Sequence, residues 1–328
     1  MLSIEWQILE VGAGVDTALT ERKALSIVVT GATRGPGLAV VKALVEAGHH
    51  VSGSVSVYSD ADKLRALGAL PIYVDELRGS ELAAVVRMAK ADVVVDLGRQ
   101  DLNQSLRAVR WDTGELIDRA KATVQAAKDG GAKFVVAASF AFVYGAADGH
   151  EVTEETRPET SGHPLLKAIL KAEKAILNGG VPACVMRLGY LYGPHMAQLK
   201  DVSSAMRQGR PVASGKGVVN YVYVDDAAEA IRRACEAQPA GEVFNVTDGH
   251  PITSAEFLAA FAQETGIQTP SRLPKLLNWV VAGRSLNELL GFSASVSSAK
   301  AAEELGWKPG YSLHAGLADT LLWWRAGA

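Results

Sequence analysis

The chain has 328 residues, 48% of them hydrophobic and 21% charged, with a formal net charge of −3. At about 100–200 residues per domain this allows one large domain, or a large one carrying a smaller lobe, and the apolar share excludes a disordered chain. No run approaches the roughly 18 apolar residues of a bilayer span, and 33 basic against 36 acidic residues leave no footprint for nucleic acid.

Residues 1–23 read as an N-terminal extension in which Ile4, Trp6 and Ile8 alternate, as in a strand, an arm or a loose tail. Glu5 and Glu10 fall where a signal peptide needs an uncharged core. Cys184 and Cys235 fit neither a disulfide framework nor a metal motif, so a reducing cytoplasm is expected. Ser26–Thr30 is a β-branched run ending in a glycine turn, and Leu38, Val41, Leu44 and Val45 recur at helical spacing over 37–47. Strands follow at 51–58, 70–74, 91–97, 133–138 and 183–188, and helices at 61–67, 80–89, 114–128 and 165–177. This alternation, with near-continuous apolar strands, predicts an α/β fold with a Rossmann-like, doubly wound parallel sheet. Beyond 188 come helix and loop over 195–217, a strand at 218–224, a last parallel strand at 242–247 and mostly helical chain from 250. The expected organisation is a sheet domain over 24–188, completed by strands within 218–248. A small, mostly helical lobe from 189–217 and 249–328 is expected to close over the carboxyl edge of the sheet.

Thr30-Gly31-Ala32-Thr33-Arg34-Gly35-Pro36-Gly37 lies between the first strand and the first helix. Its glycines let the backbone turn tightly and approach a pyrophosphate at the helix N-terminus. Gly31, Thr33, Arg34, Gly35, Pro36 and Gly37 are therefore candidate cofactor contacts. The end of the second strand, Ser52-Gly53-Ser54-Val55-Ser56, carries no carboxylate for a ribose 2′-hydroxyl.

TGATRGPG (30–37), Asp75, VVVDLG (93–98), FVVAASFAFVYG (134–145) and MRLGYLYGP (186–194) stand in order along the chain. NYVYVDDAAEAI (220–231), EVFNVTDGHPIT (242–253) and ELGWKP (304–309) follow. Together they resemble the extended, epimerase/dehydratase-like short-chain dehydrogenases/reductases over about residues 25–325. The resemblance implies an NAD(P)-binding enzyme, oxidoreductase or epimerase, acting on a small organic substrate as a homodimer, with the small lobe binding substrate. It implies that an arginine at position 34 can receive a 2′-phosphate, so NADP(H) is expected ahead of NAD(H). It gives the adenine to Asp75, with Glu76 beside it. The cofactor phosphates and ribose fall to Leu97, Gly98 and Arg99, and the nicotinamide side to Leu188, Gly189 and Tyr190.

Members of this family use a Ser or Thr together with a Tyr and a Lys spaced YxxxK, the Tyr serving as acid/base. Here the serine position is Phe140, with Ser139 beside it. Matching Lys167 to the lysine puts His163 at the tyrosine; matching Glu173, four residues beyond the lysine, puts Leu165 and Ile169 at the two sites. Neither register supplies a tyrosine. Three readings stay open. His163 transfers the proton with Lys167 near the ribose. Alternatively, Tyr144, Tyr190, Tyr192 or His195 supplies it, or the substrate needs none from the protein. In the third, the chain binds the nucleotide without turnover, as a sensor or partner subunit. Ser139, Tyr144, His163 and Lys167 are thus the catalytic candidates, and Phe140, Tyr192 and His195 the substrate contacts. Asp225 and Asp226 resemble a family feature that fixes the lobe junction by capping a helix, which implies a structural role for them. No His/Cys cluster has ligand spacing and no GxSxG elbow occurs, so neither a metal nor a serine hydrolase is expected.

Overall fold

The computed structural model describes residues 23–55, 57–98, 112–158, 160, 163–209, 217–268 and 292–326. The first half alternates β1 (Ser26–Thr30), α1 (Gly37–Glu46), β2 (His50–Val55), α2 (Ala61–Ala66), β3 (Leu70–Tyr73), α3 (Gly79–Met88), β4 (Val93–Asp96) and α4 (Thr113–Gly130). β5 (Phe134–Phe140), β6 (Ala146–Val152), α5 (Pro164–Leu177), β7 (Ala183–Leu188), β8 (Tyr190–Tyr192) and α6 (Ala197–Arg207) follow. The chain continues through β9 (Val218–Val219), β10 (Tyr221–Tyr223), α7 (Val224–Ala237), β11 (Val243–Val246), β12 (Ile252–Thr253), α8 (Ser254–Thr265) and β13 (Ser293–Val296). Helices Ala299–Glu304 and Leu313–Arg325 close it.

Seven strands form one parallel sheet in the order β11-β7-β5-β4-β1-β2-β3. Ile27, Val28 and Val29 of β1 and Val93, Val94 and Val95 of β4 are fully buried, as strands covered on both faces must be. The strand order reverses between β1 and β4, so their carboxyl ends diverge and leave the crevice in which open α/β sheets bind ligands. Asp96 braces that point. It accepts from the Thr30 hydroxyl at 3.0 Å, the Gly98 N–H at 2.8 Å and the Thr123 hydroxyl at 2.8 Å, joining β1, β4 and α4.

Outside the sheet the structure departs from the expected elements. The strand expected over 218–224 is two short ones: β9 pairs antiparallel with β12, β10 pairs parallel with β8, and α7 already begins at Val224. Asn220 separates them. Its buried amide donates to the Ala294 carbonyl at 2.6 Å and accepts from the Val296 N–H at 2.9 Å, serving β13 as a strand partner would. β13 also pairs parallel with β6, whose AADGHEV sequence has no apolar alternation to announce a strand.

Asp226 differs from expectation in an informative way. It sits in the first turn of α7 but accepts from the N–H groups of Gly310 at 2.8 Å and Tyr311 at 3.1 Å, while Trp307 donates its indole N–H to the Asp226 carbonyl at 2.9 Å. It therefore ties the C-terminal segment to α7 instead of capping its own helix. Asp226→Ala leaves two N–H groups without acceptors and is expected to cost about 2 kcal/mol. Thermal melting and limited proteolysis near Gly310 check this: unchanged melting and unchanged cleavage would refute the tie.

Candidate nucleotide and reaction site

The turn after β1 has the geometry of a phosphate loop. Gly31 and Gly35 have φ of 70° and 51°, the left-handed region that favours glycine. A Cβ on Gly37 would lie 2.3 Å from the Gly31 carbonyl oxygen, so only glycine lets α1 start this close to β1. α1 has no side-chain N-cap and no acidic residue in its first turn, leaving its positive end for an anion. Leu97 is buried, and Gly98, with φ of 57°, borders the crevice; Arg99 lies outside the described residues.

Glu76 is locked beneath this turn. One carboxylate oxygen accepts from the Gly31 N–H at 2.7 Å and from the Ser54 hydroxyl; the other accepts from Arg34 at 2.6 Å and from Arg119. Burial alone would raise its pKa, but Arg34, Arg119 and the two hydrogen bonds outweigh it and hold the carboxyl below its ordinary value of 4.5. Asp75, expected at the adenine, takes no part in this cluster. It is exposed, accepts from the Leu77 N–H at 3.0 Å and pairs with Arg78 at 3.3 Å. The chain turns here, the Arg78 N–H donating to the Asp75 carbonyl at 2.9 Å, and Glu76 is buried while Asp75 stays exposed.

Arg119 was not visible as a site residue. It projects from the inner face of α4 among Leu116, Ala120 and Thr123, where an amphipathic helix calls for apolar side chains, and that placement is the signal that could have found it. Among the described residues its buried Nε has no hydrogen-bond partner, and the side chain lines a cavity with Gly98, Phe140, Ile169 and Glu173. The glycine turn, the uncapped helix end and this orphaned donor all fit a bound dinucleotide.

At the carboxyl ends of β5 and β7, Glu173 decides how α5 sits. It accepts from Arg187 at 3.0 and 2.7 Å and from the Ser139 hydroxyl at 2.6 Å. The residues sharing its helix face are Ile169 and Leu165, both buried in one cluster with Phe140, Tyr144 and Val152. Thus Leu165 and Ile169, which the Glu173 register gives to the tyrosine and lysine, and Phe140, at the serine position, lie in one buried apolar cluster. Lys167 is corrected: it lies on the exposed face of α5, turned from this surface by the helical period. His163 ends the loop before α5, with Pro164 at the first helical position, and its ring meets Phe292 edge-on at 5.5 Å.

Tyr144 is also corrected. It is buried, donates to Asn245 Oδ1 at 2.9 Å and accepts from Arg187 at 2.8 Å; burial, opposed by Arg187 and these hydrogen bonds, leaves its pKa raised. Its hydroxyl belongs to the frame. Tyr192, expected at the substrate, is core as well, packed against Tyr221, Tyr223 and Phe257. His195 packs edge-on against Trp323 at 4.4 Å, so it faces the C-terminal helix. Leu188 is buried, and the Gly189 N–H donates to the Val246 carbonyl at 2.9 Å. Tyr190 stands over the neighbouring cleft, 5.6 Å from the Phe142 ring. Among the described residues no group of three or more His, Cys, Asp or Glu is placed to hold a metal ion, and no helix is long and apolar enough to cross a membrane.

The profile of the NAD dependent epimerase/dehydratase family matches residues 27–247. The chain belongs to this family. Among its relatives, a 3-diazoavenalumate denitrifying reductase of a Streptomyces species is 30% identical over 303 residues, covering 87% of this chain and 96% of the relative. A 4-hydroxy-2-methyl-3-oxo-4-farnesyl-3,4-dihydroquinoline-1-oxide ketoreductase of Stigmatella aurantiaca is 29% identical, over 73% of each chain. Of the solved structures, a UDP-glucose-4-epimerase from Stenotrophomonas maltophila with bound NAD superposes with a TM-score of 0.75 at 22% identity, covering 92% of this chain and 98% of that one. A dTDP-glucose 4,6-dehydratase from Bacillus anthracis in complex with NAD gives 0.75 at 17% identity, covering 92% and 97%. At these identities the likeness is one of fold. NAD-dependent epimerase/dehydratase enzymes thus share this chain's sheet and crevice.

Two substitutions test the frame. Glu76→Gln removes the carboxylate that Arg34 and Arg119 share, leaving Arg119 with Glu115 at 3.5 Å and the charge of buried Asp96, and is expected to cost about 3 kcal/mol at neutral pH. Because the folded carboxyl lies below its ordinary value of 4.5, its contribution is full above that value and is lost as pH falls through the folded pKa. The variant's melting temperature should therefore converge on wild type in acid; a constant gap would contradict the pairing. Tyr144→Phe strips an acceptor from Arg187 and a donor from Asn245, which should cost about 2 kcal/mol while turnover persists. Loss of turnover in a folded Tyr144→Phe would restore Tyr144 as the proton donor.

Proposed function

We propose that this chain is an NADP(H)-dependent reductase of a diazonium compound, delivering hydride to an acceptor that takes no proton from the protein. The apolar trio Phe140, Leu165 and Ile169 carries this assignment. Reduction of a ketone to an alcohol places a proton on oxygen, normally from a positioned acid. Three hydrocarbon side chains donate none, the Ser139 hydroxyl is given to Glu173 and the Tyr144 phenol to Asn245.

A bound nicotinamide supplies hydride. A diazonium group needs nothing else: R–N2+ and hydride give R–H and dinitrogen, the charges cancel, and no proton enters. The name of the Streptomyces relative, which couples a diazo substrate to denitrification, supports this substrate class. The part of the chain is to orient the acceptor and to keep water away from an electrophile that water would consume, which a buried apolar surface does.

For the cofactor, Ser54 in place of a carboxylate at the end of β2 and Arg34 in the glycine turn support NADP(H). Glu76 holds the Arg34 guanidinium in place, and Arg34 and Arg119 together outweigh its charge. The family resemblance supports a homodimer, with residues 189–217 and 249–328 as the substrate lobe. The lack of any disulfide pattern in the sequence supports a cytoplasmic setting.

With NADPH, benzenediazonium tetrafluoroborate should drive cofactor oxidation and stoichiometric release of dinitrogen above the protein-free rate, whereas cyclohexanone should not. Faster turnover of the ketone would contradict the assignment. Tight NADPH binding with neither acceptor reduced would favour a nucleotide-binding protein without turnover. Arg34→Ala should raise the KM for NADPH about tenfold and leave that for NADH nearly unchanged.

A further inference from the structure

The end of β2 carries Ser54 where a fold that binds NAD sets a carboxylate on the ribose 2′-hydroxyl. Ser54 is buried and committed: its hydroxyl accepts from the Gly31 N–H at 3.0 Å and donates to Glu76. The carboxylate that meets this strand end therefore comes from beyond β3, and it is already full. A carboxylate offers about four acceptor sites. Gly31 and Ser54 donate to one oxygen of Glu76, and Arg34 and Arg119 donate to the other. No capacity is left for a ribose hydroxyl.

The two guanidinium groups on Glu76 are not equivalent. The Arg119 side chain is 6% exposed and that of Arg34 is 32% exposed, so Arg34 is the one that presents itself to solvent. It gives Glu76 one N–H, from Nη2 at 2.6 Å, and among the described residues its Nη1 and Nε have no partner. One forked edge of the guanidinium thus stays whole, with the geometry that grips two oxygens of a phosphate. An arm held in this way has lost its rotamer freedom before a ligand arrives, which lowers the cost of binding. Arg119 donates to the same carboxylate oxygen as Arg34 and tempers the repulsion that Glu76 would exert on a phosphate. We propose that Glu76 is a positioning residue for NADP(H). It aims the free edge of Arg34 at the ribose 2′-phosphate and, being full, offers no acceptor to the unphosphorylated ribose of NAD(H). Glu76 acts in this way only if Arg34 receives that phosphate, so its role rests on the NADP(H) reading.

The test is binding, which needs no turnover: calorimetric titration with NADPH and with NADH, read as the ratio of the two Kd values. The wild type should favour NADPH about tenfold. Glu76→Asp keeps the charge and shortens the reach by one methylene, and it should shrink that preference about fivefold. Arg34→Ala should abolish the preference, and adding Glu76→Asp to Arg34→Ala should change the ratio no further. Simple damage to the glycine turn would weaken both cofactors together and leave the ratio alone. An unchanged ratio in Glu76→Asp, or effects that add in the double variant, would overturn the proposal. A crystal structure of the wild type with NADP+ needs no substitution. In it Arg34 should keep Nη2 on Glu76 while its free edge meets the 2′-phosphate; an Arg34 turned away from Glu76 would equally overturn the proposal. A wild type that binds NADH as tightly as NADPH would refute the NADP(H) reading itself. A preference for NADPH that Glu76→Asp does not move would leave that reading standing without this role for Glu76.

Discussion

Glu173 receives both arms of Arg187 and the Ser139 hydroxyl in the protein interior, and this buried pair sets the face that α5 turns toward the sheet. Removing two charges from water costs several kcal/mol per ion, recovered only where geometry is good and remaining lone pairs are filled. Here the fork is bidentate, Ser139 adds a third donor, and Arg187 also reaches Tyr144 and through it Asn245 on β11. The network thus links β5, β7, β11 and α5. Once Glu173 is held inward, Ile169 and Leu165 must follow it and Lys167 must face solvent.

A second charged knot organises the nucleotide half in the same manner. Glu76 gathers Gly31, Ser54, Arg34 and Arg119, so the glycine turn, β2 and α4 are fixed by one carboxylate. Together with the brace at Asp96 it keeps the phosphate turn in shape at the diverging strand ends. The polar interior therefore serves position.

Much of this was legible in the sequence. The βα rhythm, the parallel sheet and the glycine turn follow from apolar runs and a strand–turn–helix context that local physics enforces. The site was legible only in part. Two four-residue spacings, ending at Lys167 and at Ile169, are open in the sequence; which of these two side chains turns inward follows from Arg187, which meets Glu173 only in the folded sheet. Asp75 and Glu76 differ by one position, and the direction of each depends on how the chain leaves β3. Tyr144 and Tyr192 have chemistry a site can use, but burial and their partners commit them to the frame. Asn220 and the β6–β13 pair lacked periodicity because their partners are distant in sequence.

In the proposed function these arrangements serve hydride transfer without a protein acid. The most direct measurement is turnover of benzenediazonium as a function of pH, with the product formed in D2O from unlabelled NADPH. Turnover should be level between about pH 5.5 and 7.5, where a histidine would titrate, and the new C–H bond should contain cofactor hydrogen and no deuterium. A rate that follows one ionisation near the histidine range, lost in His163→Phe, or deuterium in the product, would contradict the account.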